Sequence, residues 1–126
     1  MSRLITACAL VFSIIAVSIF GILYIKNKKD ECSEILQTAY DNAQSNKIEL
    51  AQKNIEDFCE KWDDLEKFLV IFLHRQDLDE ITFSSRSILE YIKSEELPEF
   101  FADTKKIMAL LDHTFETEMP LLQNIV

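Results

Sequence analysis

The chain has 126 residues, with 22 acidic against 13 basic side chains for a net charge of −9, one glycine and two prolines. That length holds one small domain beside a membrane segment, and the acidic balance argues against a nucleic-acid surface or a broad face for anionic lipid. The single glycine rules out a glycine-rich phosphate loop and sheets built on tight hairpins, and three cysteines are no disulfide framework.

The first element opens on a pattern that misleads. Ile5-Thr6-Ala7-Cys8 has the form of a lipoprotein cleavage box. Such a box follows its apolar region, whereas here the apolar run comes afterwards: Leu4–Ile25, uncharged throughout. About 20 apolar residues cross a bilayer core, so the run is long enough for a transmembrane helix. A cleaved signal peptide is the rival, with Ala16-Val17-Ser18 as its small-residue site, but the apolar run continues past it to Ile25. Tyr24 and then Lys26, Lys28 and Lys29 suit the aromatic and basic edge of a membrane. Thr6, Ser13 and Ser18 can bond back to their own helix and need no partner. The chain therefore divides into a transmembrane anchor, 1–25, and an acidic helical domain, 26–126. Arg3 is the one charge before Lys26, so the domain carries 12 basic and 22 acidic residues, net −10.

The domain has helical periodicity throughout. Cys32, Leu36, Ala39 and Ala43 form a first apolar seam. Nothing breaks the chain between Ile25 and Asp30, which allows the anchor and this helix to be one rod. Ile48, Ala51, Ile55, Phe58, Trp62, Leu65, Leu69 and Phe72 lie on one stripe of a second helix drawn as Ile48–His74. Leu78, Ile81, Ser85, Ile88 and Ile92 mark a third, and Leu97, Phe101, Thr104, Met108, Leu111 and Phe115 a fourth. Asn46 followed by Glu49, and Asp77 followed by Glu80, predict capping boxes at the second and third helices. Pro98 belongs in the first turn of the fourth helix, and Met119-Pro120 ends it. Short connections make neighbouring helices antiparallel. The expected fold is all-α: an N-terminal transmembrane helix followed by a four-helix antiparallel bundle of two packed hairpins.

"FLVIFL", Phe68–Leu73, is apolar on every face and is expected to be the most deeply buried helix segment, a partner groove or bilayer contact being the alternatives. Trp62 is expected to anchor the core, and the apolar tail "PLLQNIV" to fold back on the bundle or engage a partner.

Catalytic chemistry has little to work with. A di-iron bundle needs Glu three residues before each histidine, and Ile71 and Leu110 hold those places before His74 and His113. No two histidines are spaced for zinc on one helix, and Cys32 or Cys59 has no indicated base and orienter. Asp63-Asp64 and Glu95-Glu96 fit solvated helix faces or ends, and His74 fits a dipole partner at a helix C-terminus. The expectation is a protein that is not an enzyme, with no catalytic, cofactor-binding or metal-binding residues and no cofactor. Cys32 and Cys59 are expected to be partly buried free thiols, pairing only if their helices are neighbours and the body faces an oxidising space.

Several short stretches carry a resemblance: Glu60-Lys61-Trp62, the apolar stretch ending at His74, Leu78-Asp79-Glu80-Ile81, and the closing Asn124-Ile125-Val126, behind a short N-terminal anchor. The chain resembles a family of small, single-anchor helical membrane proteins of clostridia and related Gram-positive bacteria, catalogued as a domain of unknown function. The resemblance spans almost the whole chain and implies no activity, cofactor or site residue. The expected function is a membrane-anchored, non-catalytic interaction or scaffold module, crossing the cell membrane once and binding a protein partner. The alternative is a small-ligand-binding or sensory bundle. A large cavity near Trp62 and Phe72 would favour the ligand; a filled core with an exposed apolar patch would favour the partner. Three lysines after the anchor against one arginine before it lean towards a cytoplasmic body. The resemblance, to proteins with an N-terminal signal anchor, implies a body outside, and that side is expected here.

Overall fold

The computed structural model describes residues 1–71 and 73–118. They form four α-helices and no strand: α1, Ser2–Gln44; α2, Ile48–Leu69; α3, Arg75–Lys93; and α4, Leu97–Glu118. Each helix packs against the next, and α4 closes back onto α1. Three short turns make this an up-down-up-down bundle.

α1 is the frame of the molecule. It runs unbroken for 43 residues, about 64 Å at 1.5 Å per residue. Its N-terminal half is apolar and long enough to cross a membrane, and its C-terminal half is one of the four bundle helices. No proline interrupts it, and the expected rod is found. Thr6, Ser13 and Ser18 donate to the carbonyls of Ser2, Ala9 and Ile14 at 2.8, 2.9 and 2.9 Å, so the hydroxyls in the apolar half are satisfied within the helix. Gly21 has open space around its missing Cβ, so close packing is not why it is glycine.

The turn at each distal hairpin is a Schellman motif. Lys47 N–H donates to Asn42 O at 2.8 Å and Asn46 N–H to Ala43 O at 3.2 Å, with Asn46 at φ 61°. Glu96 N–H donates to Tyr91 O at 2.9 Å and Glu95 N–H to Ile92 O at 3.3 Å, with Glu95 at φ 56°. Both bond pairs satisfy orphan carbonyls at the helix end. This corrects two expected caps. Asn46 closes α1 in the left-handed region, which asparagine tolerates, and α2 starts from Lys47 with no side-chain cap bond. Asp77 lies inside the first turn of α3, whose N-cap is the extended His74, so His74 is not a C-terminal dipole partner of α2. Pro98 does fall in the first turn of α4.

Glu95 occupies a conformation that disfavours a Cβ. Glu95→Gly is expected to raise stability by about 0.5–1 kcal/mol, the relief of left-handed strain exceeding the entropy that glycine adds to the unfolded chain. Urea unfolding followed by circular dichroism measures it; an unchanged midpoint contradicts it.

The core contains every expected seam residue of α1, α3 and the described part of α2 except Ile48, which is half-buried against it. Trp62 is completely buried. The α4 seam is partly rotated: Thr104, Leu111 and Phe115 are buried as expected. Phe100 and Ile107 are fully buried, while Phe101 and Met108 only flank the core. Sequence offers two adjacent apolar rows on α4, and both lie within one helix stripe about 100° wide; packing against α1 and α3 selects between them.

The α2–α3 turn is the largest departure. α2 ends at Leu69 rather than His74; of the segment expected to be most deeply buried, Leu69 and Leu73 are buried, whereas Val70 and Ile71 belong to the connection. Val70 is 42% and Ile71 72% exposed, while Leu73 turns back into the core. Composition offers no stop there. The hairpin closes because Leu73 and Leu78 both bury on the inner side of the turn. The expectations for Phe72, for the helix end at Met119-Pro120 and for the tail "PLLQNIV" fall outside the described residues.

Candidate functional site

Polar clasps hold the bundle half of α1 to its neighbours and set their register. The Glu31 carboxylate accepts from Lys61 on α2 and, at 3.5 Å, from Lys28. The Lys61 hydrogen bond, followed by the charge of Lys28, holds the Glu31 carboxyl below its ordinary range, and the same bond raises Lys61. Asn42 Nδ2 donates to Asn54 Oδ1 at 2.7 Å. Against α4, Lys29 pairs with Asp112 at 2.7 Å, the Tyr40 ring meets Phe101 edge-on at 4.9 Å, and Lys105 lies 4.6 Å from the Tyr40 ring centre. Exposed ion pairs stabilise little, but these run from one end of the body to the other and seat it on α1 in a single alignment.

Between α2 and α3, Trp62 Nε1 donates to Thr82 Oγ1 at 2.8 Å, and the Thr82 hydroxyl donates to Glu66 Oε2 at 2.8 Å. The indole is buried, with its one polar atom satisfied. It is a core anchor, as expected from its place on the seam.

The cysteines face different interfaces. Cys32 is buried where α1 meets α2, and Cys59 is half-buried with its thiol 3.6 Å from Ser85 O on α3. Both are free. Burial pushes each thiol up to about 11, the nearby Glu31 adding to this for Cys32 and Asp63 for Cys59. At pH 8 each is then expected to react with a neutral disulfide reagent about two orders of magnitude more slowly than an ordinary thiol of pKa about 8.5, because the thiolate is the nucleophile. Thiol titration of the folded chain against urea-unfolded chain checks this; equal rates would contradict it. The raised values also make stability fall as pH rises from the unfolded thiol range through about 11, since the unfolded chain loses those protons first.

The other residues singled out in the sequence are dispersed. Asp63-Asp64 and Glu95-Glu96 are exposed. His74 caps α3, and His113 lies on the outer side of α4. Among the described residues no group of three or more His, Cys, Asp and Glu could hold a metal ion.

Two surface features remain, the first not anticipated and the second anticipated only as the alternative to burial of Phe68–Leu73. On the outer face of α3, Phe83 is 73% exposed beside a groove of about 410 Å³ lined by Arg86, Ser87, Glu90 and Tyr91. A second groove of about 370 Å³ runs between Asp63, Glu66, Lys67, Val70 and Arg75 at the α2–α3 turn. Both are open to solvent. Phe83 was legible as an aromatic off the seam of its helix. Val70 and Ile71 were not, because a stretch apolar on all sides has no outer face to identify.

Compared with known proteins, the chain matches one family model, described as a domain of unknown function (DUF4363), over residues 19–125. No curated protein and no solved structure matches it.

Proposed function

The chain belongs to the DUF4363 family, and from that premise we propose that it is a single-pass, membrane-anchored, non-catalytic helical module that presents a rigid surface to a protein partner. The observation that carries this reading is the continuity of α1. One helix supplies an apolar half of membrane-spanning length and, without a joint, the buried Ile25, Cys32, Leu36, Ala39 and Ala43 of the bundle. A cleaved leader has no need to extend into a folded core, whereas an anchor that also builds the domain fixes its height and orientation at the membrane. The partner half of the reading draws on Phe83, a large exposed apolar side chain amid polar neighbours, since aromatic and arginine side chains are the usual anchors of protein interfaces. The completely buried, hydrogen-bonded Trp62 supports a filled core over the small-ligand alternative.

Replacing Phe83 with a photocrosslinking phenylalanine analogue in the full chain tests this in cells of the source type. A discrete protein adduct at position 83, absent with the same group at the outward Glu49, is the expected result. No adduct at 83, or equal adducts at both positions, removes the partner reading.

We place the body on the extracytoplasmic side on the resemblance to N-terminally anchored proteins, against a lysine count that leans the other way. Cys32 is too buried to report this. Ser45→Cys, on the exposed distal turn, is the suitable reporter. Labelling in intact cells by a membrane-impermeant maleimide supports the assignment, and labelling only after lysis reverses it.

A further inference from the structure

The α2–α3 turn lies level with apolar helix, not with the charged residues that follow it. Along the α1–α2 pair, Asn54 meets Asn42, Lys61 meets Glu31, and the Phe68 ring packs edge-on to Tyr24 at 5.6 Å. Continuing this antiparallel register places Val70 and Ile71 beside Gly21–Leu23, inside the uncharged run Leu4–Ile25. The exposure of α1 agrees: Ile19, Gly21 and Ile22 are partly covered, whereas Leu4–Ser18 are exposed. The bundle thus overlaps the last two turns of the apolar run.

Length then decides what surrounds that overlap. A bilayer core is about 30 Å thick. Leu4–Ser18 supplies about 15 residues, or about 22 Å of helix, too little to cross. The whole run to Ile25 supplies about 33 Å and is enough. If α1 crosses the core with its apolar run, the last turns of that run are in the membrane, and whatever lies beside them is at membrane depth. What lies beside them is Val70 and Ile71, 42% and 72% exposed and uncovered by their own bundle. Lys67 and Arg75 flank them, and Lys26 and Lys28 follow the apolar run on α1, within about one turn of the same level. Such side chains extend from an apolar boundary to the headgroups. Asp63 and Glu66 stand further along the groove, away from the tip, and the Glu66 carboxylate is engaged by Thr82.

We propose that the α2–α3 turn is a second membrane contact: Val70 and Ile71 are embedded in the interfacial layer of the same leaflet from which α1 emerges, so that the domain stands on the bilayer at two points. This rests on the anchor reading above. It gives the exposed turn a lipid occupant and makes the acidic domain a fixed projection from the membrane.

The test uses the full chain with Cys8→Ala, incorporated in vesicles of phosphatidylcholine with a minority of phosphatidylglycerol. An environment-sensitive fluorophore is placed at Ser13→Cys, Ile71→Cys or Ser45→Cys, with the labelling of the Cys8→Ala chain subtracted. All three positions are exposed, so the bundle tolerates the changes. Nitroxide-bearing lipid is expected to quench Ser13 and Ile71 and to spare Ser45, with iodide quenching at Ile71 several-fold weaker than at Ser45. If lipid quenches Ser13 while iodide reaches Ile71 as readily as Ser45, the anchor stands and the second contact is wrong. If lipid quenches neither Ser13 nor Ile71, the anchor reading falls and takes the contact with it. If Ile71 is shielded from iodide and from lipid alike, protein covers the turn, a second copy or a partner, and the proposal is overturned.

Discussion

Trp62→Ala is expected to lower stability by about 3–5 kcal/mol, the usual cost of removing a large buried aromatic. The indole is wholly inaccessible and sits in the C-terminal half of α2. Its loss leaves a cavity and strips Thr82 Oγ1 of its donor at 2.8 Å. Against a typical domain stability of about 5–15 kcal/mol, that is between about a fifth and the whole of the total. Trp62→Phe separates the two contributions. It keeps most of the packing and loses the N–H, so it is expected to cost only about 1–2 kcal/mol. Urea titration of the detergent-solubilised chain, read by far-ultraviolet circular dichroism, gives both values. A Trp62→Ala variant as stable as wild type would mean that the indole does not hold the bundle together.

The second large effect tests the rotation of α4. Phe100→Ala is expected to cost about 3–5 kcal/mol, because Phe100 is fully buried. Phe101→Ala is expected to cost about 1–2 kcal/mol, since Phe101 is half-buried and loses chiefly its edge-on contact with Tyr40 at 4.9 Å, an interaction of about 0.5–1.5 kcal/mol beyond area. The order of the pair matters more than either value. If Phe101→Ala proves the more damaging, α4 is turned the other way, with Phe101 and Met108 inward, and the described core is wrong on that side.

The candidate site divides along similar lines. The membrane-length helix and the absence of a catalytic constellation as an expectation came from composition and spacing. Phe83 could have been found by asking which aromatics lie off the seams. The turn Val70–Ile71 could not: "FLVIFL" carries no polar residue to show where the helix stops, and its exposure results from where the hairpin closes.

The amino-acid sequence by itself determined that this protein is helical, that one end is apolar enough to cross a membrane, and which faces of α1, α2 and α3 turn inward. Those faces are single apolar stripes between charged ones, and burying a charge costs far more than any rearrangement could recover, so one orientation is available to each. Only the tertiary structure decided the facing of α4, the end of α2 and the depth of the α2–α3 turn relative to α1. In those places neighbouring rows or successive residues are all apolar, the transfer energy to the core is nearly the same for each choice, and the fit against the facing helices selects among them.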